Sequence, residues 1–204
     1  MADIIDSRKA DQTLLLKEFI LAVNYINTKW KKEILSPLTI TLGDEFQGIL
    51  KNMESCYKLV FDLEEFIIVN SLSIKLRYVM NYGHIETPIN KKIAYAMLGN
   101  GLTQTREALN ILKSSSNRFM VLTEKTENAT KIINDLFFLY GSYLDSWKLN
   151  EYQIISEFLN DKDYKVVADK LDMNRSSTWR RYKSLNIEQY NTTKNLILTL
   201  SKIL

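Results

Sequence analysis

A chain of 204 residues is long enough for one medium domain or two small ones and can bury a sizeable apolar core. Apolar residues make up 46% and charged residues 25%, while six glycines and two prolines exclude a collagenous or low-complexity chain. The longest apolar runs, such as 66–69 and 136–140, are too short to cross a bilayer. No apolar stretch behind a basic cluster marks a secretory signal, and the single cysteine allows no internal disulfide, so a cytoplasmic protein with no membrane partner is expected.

Charge is unevenly spread. Residues 1–145 carry 17 Lys and Arg against 17 Asp and Glu, whereas residues 146–204 carry 10 against 7. Within residues 173–204, Arg175, Arg180, Arg181, Lys183, Lys194 and Lys202 stand against Glu188 alone. Cations gathered on one segment form the electrostatic footprint of a phosphate-binding surface, although a solvated helix face has the same composition.

In chain order, residues 3–7 read as a short strand with Ile4 and Ile5 apolar. Leu15, Phe19, Ala22, Val23 and Ile26 then recur at spacings of three and four, the period of an amphipathic helix. Ser36-Pro37 is expected to break that segment, and residues 38–42 and 46–50 to form two strands around the turn Gly43-Asp44-Glu45. Met53, Cys56, Val60 and Leu63 mark a second helix, and residues 73–82 alternate as a half-buried strand. After a looser stretch, residues 103–112 form a third helix and 118–122 a further strand. The order βαββαβαβ predicts an α+β fold, a mostly antiparallel sheet with helices on one face. From Thr126 onward only helical patterns remain, at Ile132–Leu136–Leu139–Tyr143 and over 151–159, 164–171, 175–185 and 191–204. A boundary near Gly141 divides an α+β domain, 1–143, from a small all-α domain, 144–204.

Asp3 in the first strand and Asp44 in the hairpin can converge at one end of a sheet in which the first strand is central. Two hard oxygen ligands so placed suit Mg²⁺ or Mn²⁺, which bind one or two carboxylates together with substrate phosphates. The segments Ala2-Asp3-Ile4-Ile5, Leu42-Gly43-Asp44-Glu45-Phe46, Lys75-Leu76-Arg77 through Gly83-His84-Ile85, and Arg106-Glu107-Ala108 follow the motif order of class III nucleotidyl cyclase domains. The first part of the chain resembles that family. The resemblance implies a ferredoxin-like, cyclase-like sheet, metal binding by Asp3 and Asp44, a catalytic Arg106 and a homodimer. The Asn expected four residues before Arg106 is Leu102, and the purine-reading Lys falls near the apolar Ile40. A site so altered is expected to bind a nucleotide or another phosphate ligand without cyclising it. A divergent metal-dependent nucleotidyl- or phosphoryl-transfer enzyme is the alternative. The whole chain, including Asp6-Ser7-Arg8, Gly48 and the helical tail, resembles the bacterial SatD family, which implies a cytoplasmic protein linked with acid tolerance.

Residues 164–181 of the tail resemble a bacterial helix-turn-helix. Ala168 is small where two helices would cross, Leu171 and Met173 bury around the turn, and Asn174 or Ser176 can cap the second helix. Thr178, Tyr182 and Leu185 then face inward. Arg175, Ser176, Ser177, Trp179, Arg180, Arg181 and Lys183 are expected to supply phosphate and base-edge contacts to DNA. The alternative is a helical hairpin that docks a protein partner.

Overall fold

The computed structural model describes residues 1–9 and 11–203. Strand β1, Ala2–Ile4, leads through a 3-10 turn at Ser7–Lys9 into helix α1, Gln12–Lys29. The turn is made by Asp6 at φ 57°, which ends the expected strand after Ile4. Asp11 caps α1 by accepting bonds from the backbone N–H of Thr13 and Leu14 at 2.9 and 3.1 Å. Every residue of the apolar period, Leu15, Phe19, Ala22, Val23 and Ile26, is buried.

Strands β2, Ile34–Thr41, and β3, Glu45–Leu50, form a hairpin, followed by helix α2, Met53–Val69, and strand β4, Leu76–Asn81. Ser36-Pro37 does not end an element but lies inside β2. The sheet order runs β2-β3-β1-β4, so β2 is an edge strand, and its pairing with β3 shifts between Ser36 and Thr39. A proline lacks the N–H that a central strand must donate, and an edge with a bulge tolerates it. The hairpin turn is Leu42-Gly43-Asp44, one residue earlier than expected, with φ values of 53° at Leu42 and 83° at Gly43. Two successive left-handed residues match the twist of a tight antiparallel hairpin.

Helix α3, Asn100–Lys113, connects β4 to β5, Phe119–Leu122, and β5 lies parallel to β4. The sheet is therefore mixed, with its other three pairings antiparallel. The expectation of helices on one face is corrected here. Tyr78, Met80, Phe119 and Val121 join the large core formed with α1 and α2, whereas Val79, Met120 and Leu122 point the other way and pack against Ala108, Leu109 and Leu112 of α3. A parallel connection needs a crossover helix, and with one face already filled α3 covers the other. Its start is pressed onto the end of β4: a Cβ added to Gly101 would lie 2.6 Å from the Gly83 backbone.

Helices α4, Glu127–Ser146, α5, Tyr152–Asn160, α6, Tyr164–Lys170, α7, Arg175–Ser184, and α8, Ile187–Ile203, complete the described chain. The expected last residue of the final helix, Leu204, lies outside the described residues. The boundary expected after residue 143 falls in the last turn of α4. Ile155, Phe158, Val167, Leu185, Ile187, Tyr190 and Ile197 share one continuous core with Phe61, Phe119 and Phe137. Trp147 donates its indole N–H to the Leu185 carbonyl at 2.8 Å, and Tyr190 donates to Glu65 of α2 at 3.0 Å. The helical tail is thus fastened to the sheet half by apolar burial and by the partly buried Tyr190–Glu65 bond.

Candidate functional site

The sheet face beneath α3 gathers charges that are remote in sequence. β1 pairs with β3 and β4 so that Asp3 stands opposite Glu45 on one side and Arg77 on the other. Asp3 and Glu45 are each 4% exposed. The Arg77 guanidinium donates to both Asp3 oxygens at 3.1 and 3.3 Å. From α3, Lys113 reaches Asp3 at 3.4 Å and donates to Glu45 at 2.7 Å, while Arg106 binds the other Glu45 oxygen. Burial raises the Asp3 pKa, with Arg77 and Lys113 opposing it only partly. Burial also pushes Glu45 up, but hydrogen bonds from Lys113 and Arg106 outweigh it and hold the carboxyl below its ordinary value. Hydrogen bonding by the neighbouring cations thus outweighs burial at Glu45 and falls short of it at Asp3.

Of the expected site residues, the structure brings Asp3 and Arg106 into this one network. Asp44 lies in the hairpin turn, where its carboxylate accepts a bond from Ser7 Oγ at 2.7 Å. As it stands, the donor set does not fit a divalent cation. Both Asp3 oxygens and both Glu45 oxygens serve arginine and lysine, and among the described residues no cluster of three or more His, Cys, Asp or Glu could hold a metal. Glu45 and Arg77 entered the sequence reading only as members of strand, turn or motif segments, with no site role, and Lys113 did not enter it. Alternation placed Arg77 on the polar side of its strand, but only the position of α3 shows that this side is covered.

The second candidate is the pair α6 and α7. α6 is capped by Asp163, and Ala168 and Val167 are fully buried at its inner side. After Leu171 the chain turns through Asp172 at φ 50°, and the Met173 N–H returns to the Ala168 carbonyl at 2.9 Å, closing the helix end. Asn174 then caps α7 by accepting from the N–H groups of Ser176 and Ser177 at 3.0 and 3.3 Å. Thr178 is buried, as is Leu185 just past the helix, and the ring of Tyr182 packs edge-on to Phe158. Arg175, Ser176, Ser177, Trp179, Arg180 and Lys183 are exposed. Arg181 differs: it is half-buried and bonded to Glu151. Arg175 pairs with Asp169 at 2.9 Å and Lys183 with Glu188 at 2.9 Å, both at the surface, whereas Arg180 has no ion-pair partner among the described residues. Exposed pairs are weak, so these cations are readily redirected to an incoming anion.

The elements define a mixed α+β protein, a five-stranded sheet with helices on both faces and a helical tail packed into the same core. No helix among the described residues is long and apolar enough to cross a membrane. The SatD family profile matches residues 1–201, and the chain belongs to the SatD family. No curated protein and no solved structure matches it.

Proposed function

We propose that this chain is a regulatory protein that binds DNA through a helix-turn-helix formed by α6 and α7, with the cyclase-like α+β half taking a nucleotide or other phosphate ligand. The outward face of α7 carries the reading. Its buried side is closed by Thr178 and Leu185 while Arg175, Ser176, Ser177, Trp179, Arg180 and Lys183 stand in solvent on one short helix. Hydroxyls, a capped helix start and cations on one projecting face supply both phosphate and base-edge contacts. Trp179 is the only large apolar side chain that α7 exposes, although Val166 of α6 is also exposed, as is Met173 of the turn, which the sequence reading expected to be buried. For the ligand half, support comes from the spatial order β2-β3-β1-β4, which ferredoxin-like and cyclase-like sheets share, and from the cations beneath α3.

Arg180 is the sharpest probe, since removing it breaks no ion pair in the fold. Fluorescence anisotropy on mixed-sequence duplexes at several salt concentrations should show steeply salt-dependent binding. Arg180→Ala should weaken it and reduce the salt slope by about one unit, the loss of one phosphate contact. Lys17→Ala, on exposed α1, should change neither quantity. Salt-independent or absent binding by the unsubstituted chain would overturn the reading.

A further inference from the structure

A groove opens on the sheet face between α3 and the segment that follows β4. Thr41, Gln47 and the carboxylate-bearing Glu45 contribute to its floor, Tyr95 to one wall, and Arg106, Asn110 and Lys113 to the other. The Tyr95 wall is anchored to the sheet edge: the Ala94 N–H donates to Thr39 Oγ1 at 2.8 Å, and Gln47 donates to the Ala94 carbonyl. Arg106 and Lys113 are the only cations lining it, with side chains 34% and 37% exposed. Each is paired with Glu45, which lines the groove with them, and Lys113 with Asp3 as well. Arg106 is recorded bonding through one nitrogen of a guanidinium that carries five N–H donors, so most of its donors remain unspent.

Two further facts point to an anion. Arg77, Arg106 and Lys113 face only Asp3 and Glu45 in this network, which leaves one positive charge uncompensated among them. Among the described residues the buried side-chain atoms without a hydrogen-bond partner are Thr41 Oγ1, on the groove lining, and Arg77 Nε, inside the network and off the lining. Thr41 stands opposite Glu45, and Arg77 opposite Asp3. Unsatisfied buried polar groups are rare, and Thr41 Oγ1 on the lining of a groove with two cations calls for a polar occupant.

We propose that this groove binds the phosphate group of a small molecule on the outward donors of Arg106 and Lys113, with the Asn110 amide beside them. The inference rests on the reading of the α+β half as the ligand-binding part. It deepens that reading by placing the phosphate on Arg106 and Lys113, in a groove that Asp44 does not line. A phosphate offers three or more oxygens to a fork and a point charge together, whereas the two oxygens of a carboxylate are the arrangement Glu45 already provides.

The test is a thermal-shift and calorimetric titration of the full chain with inorganic phosphate, pyrophosphate and AMP, against chloride at matched ionic strength. At least one phosphate probe should stabilise the protein in a concentration-dependent way. A preference for AMP over inorganic phosphate identifies the source as a nucleotide, and the reverse identifies free phosphate; either supports the site. Arg106→Gln and Lys113→Gln should each weaken that binding at least tenfold, and Arg106→Lys, which keeps the charge beside Glu45 but loses the fork, several-fold. DNA anisotropy on the same variants separates the two readings, because neither residue lies on α7. Intact DNA binding with no phosphate effect overturns this site alone. Stabilisation that persists in all three variants overturns it too.

Discussion

Replacing Arg118 with methionine removes the centre of the most deeply buried ionic network. Arg118 is 6% exposed and Glu64 is 4% exposed. One guanidinium nitrogen donates to both Glu64 oxygens at 2.7 Å, Nε donates to the Leu76 carbonyl at 2.9 Å, and Nη1 reaches Asp145 at 3.1 Å. Tyr78 also donates to Glu64 at 2.7 Å. Burial by itself lowers the Arg118 pKa, but Glu64 and Asp145 raise it above the ordinary arginine value, so it stays charged. Methionine preserves much of the volume yet leaves the Glu64 carboxylate with Tyr78 alone. An uncompensated buried charge costs about 3–5 kcal/mol. In a protein of this size that lowers Tm by roughly 6–20 °C. Removing the charge from both partners, Arg118→Met with Glu64→Gln, should recover more than about 2 kcal/mol of the loss, since the amide still accepts from Tyr78. Urea unfolding followed by far-UV circular dichroism gives all four corners of the cycle. A single-variant loss below about 1 kcal/mol, or a double variant no better than the sum of its singles, refutes the assignment of this pair as a mutually dependent buried unit.

Burial pushes the Cys56 thiol up from 9.0 to about 11, so at pH 8 the native thiolate fraction is about 100-fold lower than at the ordinary value. Iodoacetamide should therefore label the half-buried native thiol about 100-fold more slowly than the protein in urea, and equal rates would contradict the raised pKa. At the turn between α6 and α7, Asp172→Val should cost about 1–2 kcal/mol, because a β-branched residue resists the left-handed φ of 50°, while Asp172→Gly should be tolerated. Chemical denaturation of both variants checks this, and equal stabilities would show that the turn relaxes to another conformation.

Local pattern was enough for the order of elements. The stripe Leu15–Phe19–Ala22–Val23–Ile26 specifies α1 because burial at a 3.6-residue period is a property of neighbouring residues, and Asn174 marks the start of α7 for the same short-range reason. Thr178 and Leu185, read as inward from spacing alone, are buried, and the cations around them are exposed apart from Arg181, which a distant Glu151 turns back toward the protein. What lies across each strand and beneath each helix was decided by tertiary structure. Pro37 sits inside β2 because β2 is at the edge of the sheet, and edge position is a fact about strand order. α3 lies on the face opposite α1 and α2 because β5 runs parallel to β4, and neither strand carries its direction in its own residues. Asp3 and Asp44 were legible as acidic residues at a strand and a turn. That Asp3 faces Arg77, 74 residues away, and that Glu45 pins Lys113, 68 residues away, follows only once β1 lies between β3 and β4 with α3 above them. Side-chain period travels with the local chain, whereas the partner of a buried charge depends on which distant segment the core brings over it.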